Sequence, residues 1–75
     1  MPKLPLKSRE IIRRLLHIGF IKDHVTGSHV ILYHAPTGRR AVVPYHAGDL
    51  PKGTARAILR EAKISTQEFF DENSF

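Results

Sequence analysis

Hydrophobic residues near the start of the chain recur at the spacing of an α-helix. Three or four positions separate the members of this set, which are Ile11, Ile12, Leu15 and Leu16. The arginines nearby fall largely on the other faces of the helix. This pattern predicts an amphipathic helix from about Ser8 to His17. Ser8 is of the type that caps a helix N-terminus, and Gly19 suits the left-handed conformation that ends a helix.

The middle of the chain has the composition of β-strands separated by turns. β-Branched and aromatic residues predict three strands, at about Phe20–Thr26, His29–His34 and Arg39–Pro44. Gly27 and Ser28 form a turn between the first two strands. A loop that contains proline and glycine separates the second strand from the third.

A second helical pattern follows the strands. Its buried stripe is predicted to be Ala55, Ile58, Leu59 and Ala62. Either Asp49 or Thr54 would cap this helix, and Ser65 to Glu68 match a capping box in which the Glu68 side chain reaches back toward Ser65. The order α-β-β-β-α with a short C-terminal helix predicts an α+β fold: a three-stranded antiparallel sheet with both long helices on one face.

Composition narrows the class of protein. With 75 residues and 8.5 kDa, we expect one domain over residues 1–75, too small for a two-domain nucleotide-dependent enzyme. The chain has no cysteine, which excludes disulfides and a thiolate zinc site. Its longest apolar run, 30–33, is far shorter than the ~20 residues of a membrane span. We therefore expect a cytoplasmic protein with no membrane partner.

The charge is positive and unevenly distributed. Twelve Lys and Arg residues stand against seven acids, a net charge of +5. Residues 1–63 hold all twelve basic residues but only four acids, so this part carries a charge of +8, and the other three acids lie in the last ten residues. A basic body suggests a polyanionic partner, and an ordinary soluble domain of basic pI is an equally open interpretation.

Five histidines are present, and His29 stands out by its position after Gly27 and Ser28. If four residues connect the second and third strands, His29 lies opposite Pro44; with a two-residue turn it lies opposite His46. Either register brings the segment 44–46 beside His29. Two imidazoles on a basic surface can perform acid–base chemistry on a phosphodiester, and the alternative is a pair of ordinary surface histidines.

The other histidines are expected to have no chemical role. His17 would be a solvated residue at the end of the first helix, and His24 and His34 would be exposed. Because His29 and His34 are five residues apart on one strand, their side chains point to opposite faces and cannot bind one metal ion without a bulge. The sequence therefore predicts no metal site and no cofactor.

Several segments, in this order and spacing, resemble the HicA family of bacterial toxins, which are small mRNA interferases. The resemblance spans roughly Leu4 to Phe69. The segments that carry it are Leu15 to Phe20, Gly27-Ser28-His29-Val30, Val43 to His46, Gly53-Thr54, Ile58 to Ala62 and Ile64 to Phe69.

The resemblance implies a double-stranded-RNA-binding-domain-like fold and a metal-independent endoribonuclease. The family's single essential histidine follows Gly-Ser, which is His29 here, and its Pro-x-His motif falls on His46, with a weaker link to catalysis. The implied substrate is mRNA. The implied partner is a cognate HicB-type antitoxin, which blocks the active site of the toxin. The resemblance also implies that the free toxin causes growth arrest in stress responses.

For such a reaction RNA supplies its own nucleophile, the 2′-hydroxyl, so the protein needs a base, an acid and a positive field. His29 would take the 2′-proton, and His46, a lysine or water would protonate the leaving 5′-oxygen. Tyr33 or Tyr45 would stack on a base. The residues expected to contact the RNA are Lys22, Gly27, Ser28, Arg39, Arg40, Lys52, Arg56 and Arg60.

Two other classes of function stay open. One is a non-catalytic module that binds double-stranded RNA or another nucleic acid, which would need the basic residues but not His29. The other is an interaction protein whose basic face docks an acidic partner. RNA cleavage by the wild type and by a His29 variant separates the three.

Overall fold

Three helices and three strands follow one another in residues 3–71, the part of the chain that the computed structural model describes. In chain order they are α1 (Ser8–His17), β1 (Ile21–Thr26), β2 (His29–His34), β3 (Arg39–Pro44), α2 (Lys52–Glu61) and α3 (Thr66–Phe69). The predicted element order is confirmed. None of the helices in this part of the chain is long and apolar enough to cross a membrane.

The strands form one antiparallel sheet in the order β1-β2-β3. Between β2 and β3, His29 pairs with Pro44 and His34 pairs with Arg39, which is the register of a four-residue loop. The β1–β2 register shifts between Lys22 and His24, so this edge strand carries a bulge.

The helices pack on one face of the sheet. Alternate residues of β2 and β3 point toward them, because side chains on a strand alternate between faces. The buried cluster includes Val30, Leu32, Ala41 and Val43 from the sheet and Ile11, Leu15, Ala55, Ile58 and Leu59 from the helices. Together with the element order, this is a double-stranded-RNA-binding-domain-like α+β fold.

The opposite face of the sheet has no helix over it. Ile31 on the central strand pairs with His24 and Val42 and lies outside the buried cluster, although only 9% of it is exposed. Its neighbour Val42 is 41% exposed, and Ile21 on β1 is 57% exposed. We call this surface the open face.

The helix ends agree with the sequence patterns only in part. Gly19 adopts φ +104° after α1, and the Ser65 hydroxyl accepts from the Glu68 amide at 3.0 Å, both as predicted. Ser8 is not the cap of α1 but its first residue, after the N-cap Lys7. Neither Asp49 nor Thr54 caps α2, which begins at Lys52 after Pro51.

One residue of the predicted apolar stripe on α1 is also misplaced. Ile11 and Leu15 are fully buried, whereas Leu16 is 45% exposed. The three-stranded sheet covers only one side of α1, and Leu16 lies beyond that side. The predicted stripe of α2 is buried at all four positions, Ala55, Ile58, Leu59 and Ala62.

Candidate functional site

His29 is the first residue of β2 and sits at one end of the sheet. Gly27 adopts φ +58° in the turn before it, a conformation that favours glycine. Thr26 on β1 and Pro44 on β3 flank His29 across the ladder, and His29 shares the open face with Ile31 and Tyr33. Its exposed ring makes no hydrogen bond within residues 3–71, so both ring nitrogens face solvent.

The segment after β3 continues alongside the turn that precedes His29. The Tyr45 amide donates to the Ser28 carbonyl oxygen at 2.6 Å. This hydrogen bond joins the residue before His29 to the residue before His46. The two histidines therefore occupy the same end of the molecule.

Ser8 holds this segment in place from the helical side. Its hydroxyl donates to the Pro44 carbonyl oxygen at 2.7 Å and accepts from the His46 amide at 3.0 Å. It is the polar residue buried in the described core, with 1% of its surface exposed. Both bonds of the hydroxyl are thus used to fix the path of the chain from Pro44 to His46.

The tautomer of the neutral His46 ring follows from one local contact. Nδ1 accepts from the Gly48 amide at 3.2 Å, so the neutral ring carries its proton on Nε2. His46 is exposed and lines a small pocket of about 140 Å³ together with Lys7, Arg9 and Tyr45. We call this the His46 pocket.

Two cations of the His46 pocket were missed by the sequence analysis. Lys7 forms an ion pair with Asp49 at 3.1 Å, and the Arg9 side chain is exposed. No spacing rule connects residues 7 and 9 with residue 46. Tertiary contacts place them there: the hydrogen bonds of Ser8, which lies between these two cations, and the pairing of Lys7 with Asp49.

The expected RNA-contacting cations do not share one surface. Arg40 pairs with Tyr33 and is exposed on the open face, the face of His29. Lys22 pairs with the buried Leu32, so it lies on the helix-facing side of the edge strand. Lys52, Arg56 and Arg60 are exposed on α2, on the helical side of the molecule.

Arg39 is engaged within the protein. Its guanidinium donates two hydrogen bonds to the Glu68 carboxylate, at 2.9 and 2.7 Å, and one to the Lys63 carbonyl oxygen at 3.2 Å. It also lies 5.6 Å from the centre of the Phe20 ring. Because these contacts use its donors, Arg39 is poorly placed to hold a phosphate.

The Arg39–Glu68 pair perturbs both side chains. The hydrogen bonds from Arg39 lower the pKa of the Glu68 carboxyl, and partial burial opposes this shift. The same hydrogen bonds raise the pKa of the Arg39 guanidinium. The Glu68 carboxylate therefore does not reach back to Ser65 as the capping-box pattern predicted.

Of the remaining strand histidines, His24 lies on the open face opposite Ile31, two residues along β2 from His29, and His34 lies at the other end of β2. His24 is exposed, as predicted, and its Nδ1 is 2.7 Å from the Asp23 carboxylate. His34 was predicted to be exposed but is half-buried: its ring packs 5.0 Å from that of Phe20 and contacts the Thr37 hydroxyl at 2.6 Å. In residues 3–71, no three histidine or acidic side chains gather as a metal site would need.

Comparison with known proteins gives one result. A model of the HicA toxin of bacterial toxin–antitoxin systems matches residues 8–64. The chain belongs to the HicA toxin family. A search of curated proteins finds no match.

The part that matches the HicA family contains both histidines of the candidate site but not Lys7 of the His46 pocket. It begins at Ser8 and includes His29, Tyr45 and His46, as well as the cations of α2. It ends before Glu68, the partner of Arg39. A toxin of this family has an antitoxin as its partner.

Proposed function

We propose that this protein is a metal-independent endoribonuclease that cleaves mRNA, with His29 as the general base. The family supports a toxin, and the observation that carries the chemistry is the Tyr45–Ser28 hydrogen bond. It sets the exposed His29 ring beside the segment that bears His46. A substrate of mRNA would place the activity in the cytoplasm.

The proposed reaction is a transesterification within the RNA. His29 removes the proton of a 2′-hydroxyl, and the resulting oxygen attacks the adjacent phosphorus. The bond from phosphorus to the 5′-oxygen breaks, and that oxygen takes a proton from the imidazolium form of His46, in which Nδ1 no longer accepts from the Gly48 amide. The products are a 2′,3′-cyclic phosphate and a 5′-hydroxyl. RNA supplies the nucleophile, so the reaction requires no metal-bound water.

Cations near the two histidines would stabilise the additional negative charge of the transition state. Arg9 and Lys7 line the His46 pocket, and Arg9 makes no ion pair within residues 3–71. The turn of Gly27 and Ser28 lies directly before His29, where backbone can approach a phosphate closely. We propose that these four residues surround the scissile phosphate.

The rest of the RNA would cross the open face. Arg40 and Tyr33 lie one beside the other on this face, four residues along β2 from His29, or about 13 Å. A cation and an aromatic ring at that distance suit a phosphate and a base of the same strand. We propose that single-stranded RNA runs from His29 toward this pair.

The test is cleavage of a single-stranded RNA by the wild type, His29→Ala and His24→Ala. A general base contributes ~10²-fold or more, so His29→Ala should lose about 99% of the rate. His24→Ala removes another exposed histidine of the open face, opposite Ile31, and should keep the cleavage rate at saturating RNA even if RNA binding weakens. EDTA should leave cleavage unchanged, and the 5′ ends should be hydroxyls.

Three results would contradict this proposal. A His29→Ala variant with more than about a tenth of the wild-type rate would remove His29 as the base. Loss of activity in EDTA with recovery on adding a divalent metal would make a metal ion part of the reaction. Products with 5′-phosphates would show that water is the nucleophile.

A second candidate function is supported by the fold alone. A domain resembling double-stranded-RNA-binding modules can bind RNA without cleaving it. This function would be favoured over the ribonuclease if the wild type binds RNA without cleaving it and if His29→Ala binds RNA equally well.

A further inference from the structure

A long groove runs along the outer side of α2, on the face of the molecule opposite the open face. It has a volume of about 1130 Å³ and is walled by the N-terminal segment, α2 and the stretch around α3. Apolar side chains form its floor, among them Leu6, Leu59, Ile64 and Phe70. Leu6 and Phe70 are only partly buried against the core, so the floor presents apolar surface to solvent. We call this the α2 groove.

Basic side chains dominate the rim of the α2 groove, whose lining also includes the acids Glu10 and Asp49. Lys52, Arg56 and Arg60 stand four residues apart, so they follow one side of α2, and Lys3 lies on the opposite wall. All four are exposed and make no ion pair within residues 3–71. Like charges at this spacing destabilise a helix. An anionic partner would offset this repulsion.

We propose that the α2 groove binds an acidic segment of the antitoxin that also carries apolar side chains. The charge of the rim calls for carboxylates, and the apolar floor calls for side chains such as leucine or valine. RNA suits the rim but only part of the floor, because Phe70 alone among these apolar side chains offers its bases a ring to stack on. The proposal rests on membership of a toxin–antitoxin family and is independent of the ribonuclease chemistry.

The position of the α2 groove links partner binding to the candidate active site. At the start of α2 the groove is lined by Asp49 and Lys52. Asp49 is bonded to Lys7, and Lys7 lines the His46 pocket. A segment held in the groove can therefore continue across the Lys7–Asp49 pair to the His46 pocket. In this proposal the α2 groove anchors the antitoxin, and the next part of the bound antitoxin segment blocks His46.

The first test measures binding of the purified antitoxin encoded with this toxin, using toxin that carries His29→Ala so that no cleavage occurs. One variant adds Arg56→Glu and Arg60→Glu in the groove. The matched control adds Arg13→Glu and Lys22→Glu, which make the same change in net charge outside the groove. The groove variant should bind about a hundredfold more weakly, since each reversed contact costs about tenfold, and the control should change by less than about threefold.

The second test locates the bound segment directly. The chain has no cysteine, so Arg60→Cys and Arg13→Cys each introduce one attachment point for a photo-crosslinker. Crosslinking from position 60, but not from position 13, should capture an antitoxin peptide that contains Asp or Glu beside apolar residues. Circular dichroism confirms that each variant is folded.

Either of two results would overturn the proposal. One is equal antitoxin binding by the groove variant and the control. The other is a groove variant that loses binding to a single-stranded RNA while it retains the antitoxin, which would make the α2 groove an RNA site. Neither measurement depends on catalysis, so failure here is distinguishable from failure of the ribonuclease proposal.

Discussion

At the scale of single residues, the Ser8 hydroxyl has the largest influence on the candidate site without facing the substrate. It joins α1 to the segment that carries His46 through two hydrogen bonds, to the Pro44 oxygen and from the His46 amide. A buried donor or acceptor that loses its partner costs about 1–3 kcal/mol. Ser8 is therefore a positioning residue for His46.

Replacement of Ser8 by alanine should lower both stability and cleavage. The free energy of unfolding should fall by about 1–3 kcal/mol, because the part-buried His46 amide and Pro44 oxygen lose their partner. Displacement of His46 should lower kcat by roughly tenfold or more at a temperature where the variant is folded. Urea denaturation and single-turnover cleavage measure the two effects.

Ser65→Ala is the matched control for Ser8→Ala, since it removes a hydroxyl that caps α3 at an exposed position. It should cost stability of about 1 kcal/mol and leave kcat unchanged. If Ser8→Ala is destabilised but cleaves RNA at the wild-type rate, Ser8 has a structural role only.

At the scale of elements, the hairpin end of the sheet is fastened to the C-terminal helix by the Arg39–Glu68 pair. Arg14 on α1 adds a second link, since its guanidinium donates to the Phe69 carbonyl oxygen at 3.2 and 3.0 Å. α3 has only four residues, too few to be stable alone. These contacts, with the buried Phe69, hold it against the core.

The Arg39–Glu68 pair should make stability depend on pH in the acidic range. The pKa of Glu68 is lowered from its ordinary value of 4.5 in the folded protein, so folding favours the ionised carboxylate. Its contribution is present above pH 4.5 and is lost as the pH falls below that value through the folded-state pKa. Glu68→Gln should therefore be less stable than the wild type at pH 7, and the difference should shrink toward pH 3.

Urea denaturation at pH 7, 5 and 3 measures this difference, with Glu61→Gln as the control. Glu61 is an exposed acid of α2 with no ion pair in the described part of the chain. Its replacement should change stability little at any pH. A Glu68→Gln deficit that is the same at pH 3 as at pH 7 would mean that the lost interaction is not the ion pair.

The elements were predictable from the sequence, and the partners of their polar residues were not. Periodic apolar residues and glycine turns set α1, the strands and α2 locally, so the predicted order and one of the two registers left open agree with the structure. Ser8 and Glu68 match local capping patterns, yet their side chains bind groups 36 and 29 residues away. Contacts at that separation follow from tertiary packing, which no local pattern encodes.

The same limit applies to the candidate site. The Gly-Ser-His segment and the strand register were enough to bring His29 and the segment 44–46 together. Arg9 and Lys7 were missed because their place beside His46 depends on how α1 meets β3. Arg39 was expected to contact RNA for the same reason. Its hydrogen bonds to Glu68, 29 residues away, cannot be read from the sequence.

At the scale of the whole molecule, exposed basic residues lie on two opposite surfaces, among others. Arg40 lies on the open face with His29, while Lys52, Arg56 and Arg60 line the α2 groove behind it. A single net charge of +5 thus describes two separate features. Under the two proposals above, RNA occupies one of these surfaces and the antitoxin is anchored on the other.

This division predicts different results for an arginine variant and a lysine variant of the same sheet. Arg40→Gln removes an exposed cation on the open face, whereas Lys22→Gln removes one from the helix-facing side of β1. If RNA crosses the open face, Arg40→Gln should weaken binding of a single-stranded RNA and reduce the slope of log K against log salt by about 0.7, the value for one phosphate contact. Lys22→Gln should leave the slope unchanged. Titrations at several salt concentrations in the His29→Ala background measure both, and an equal loss in the two variants would show that RNA does not select the open face.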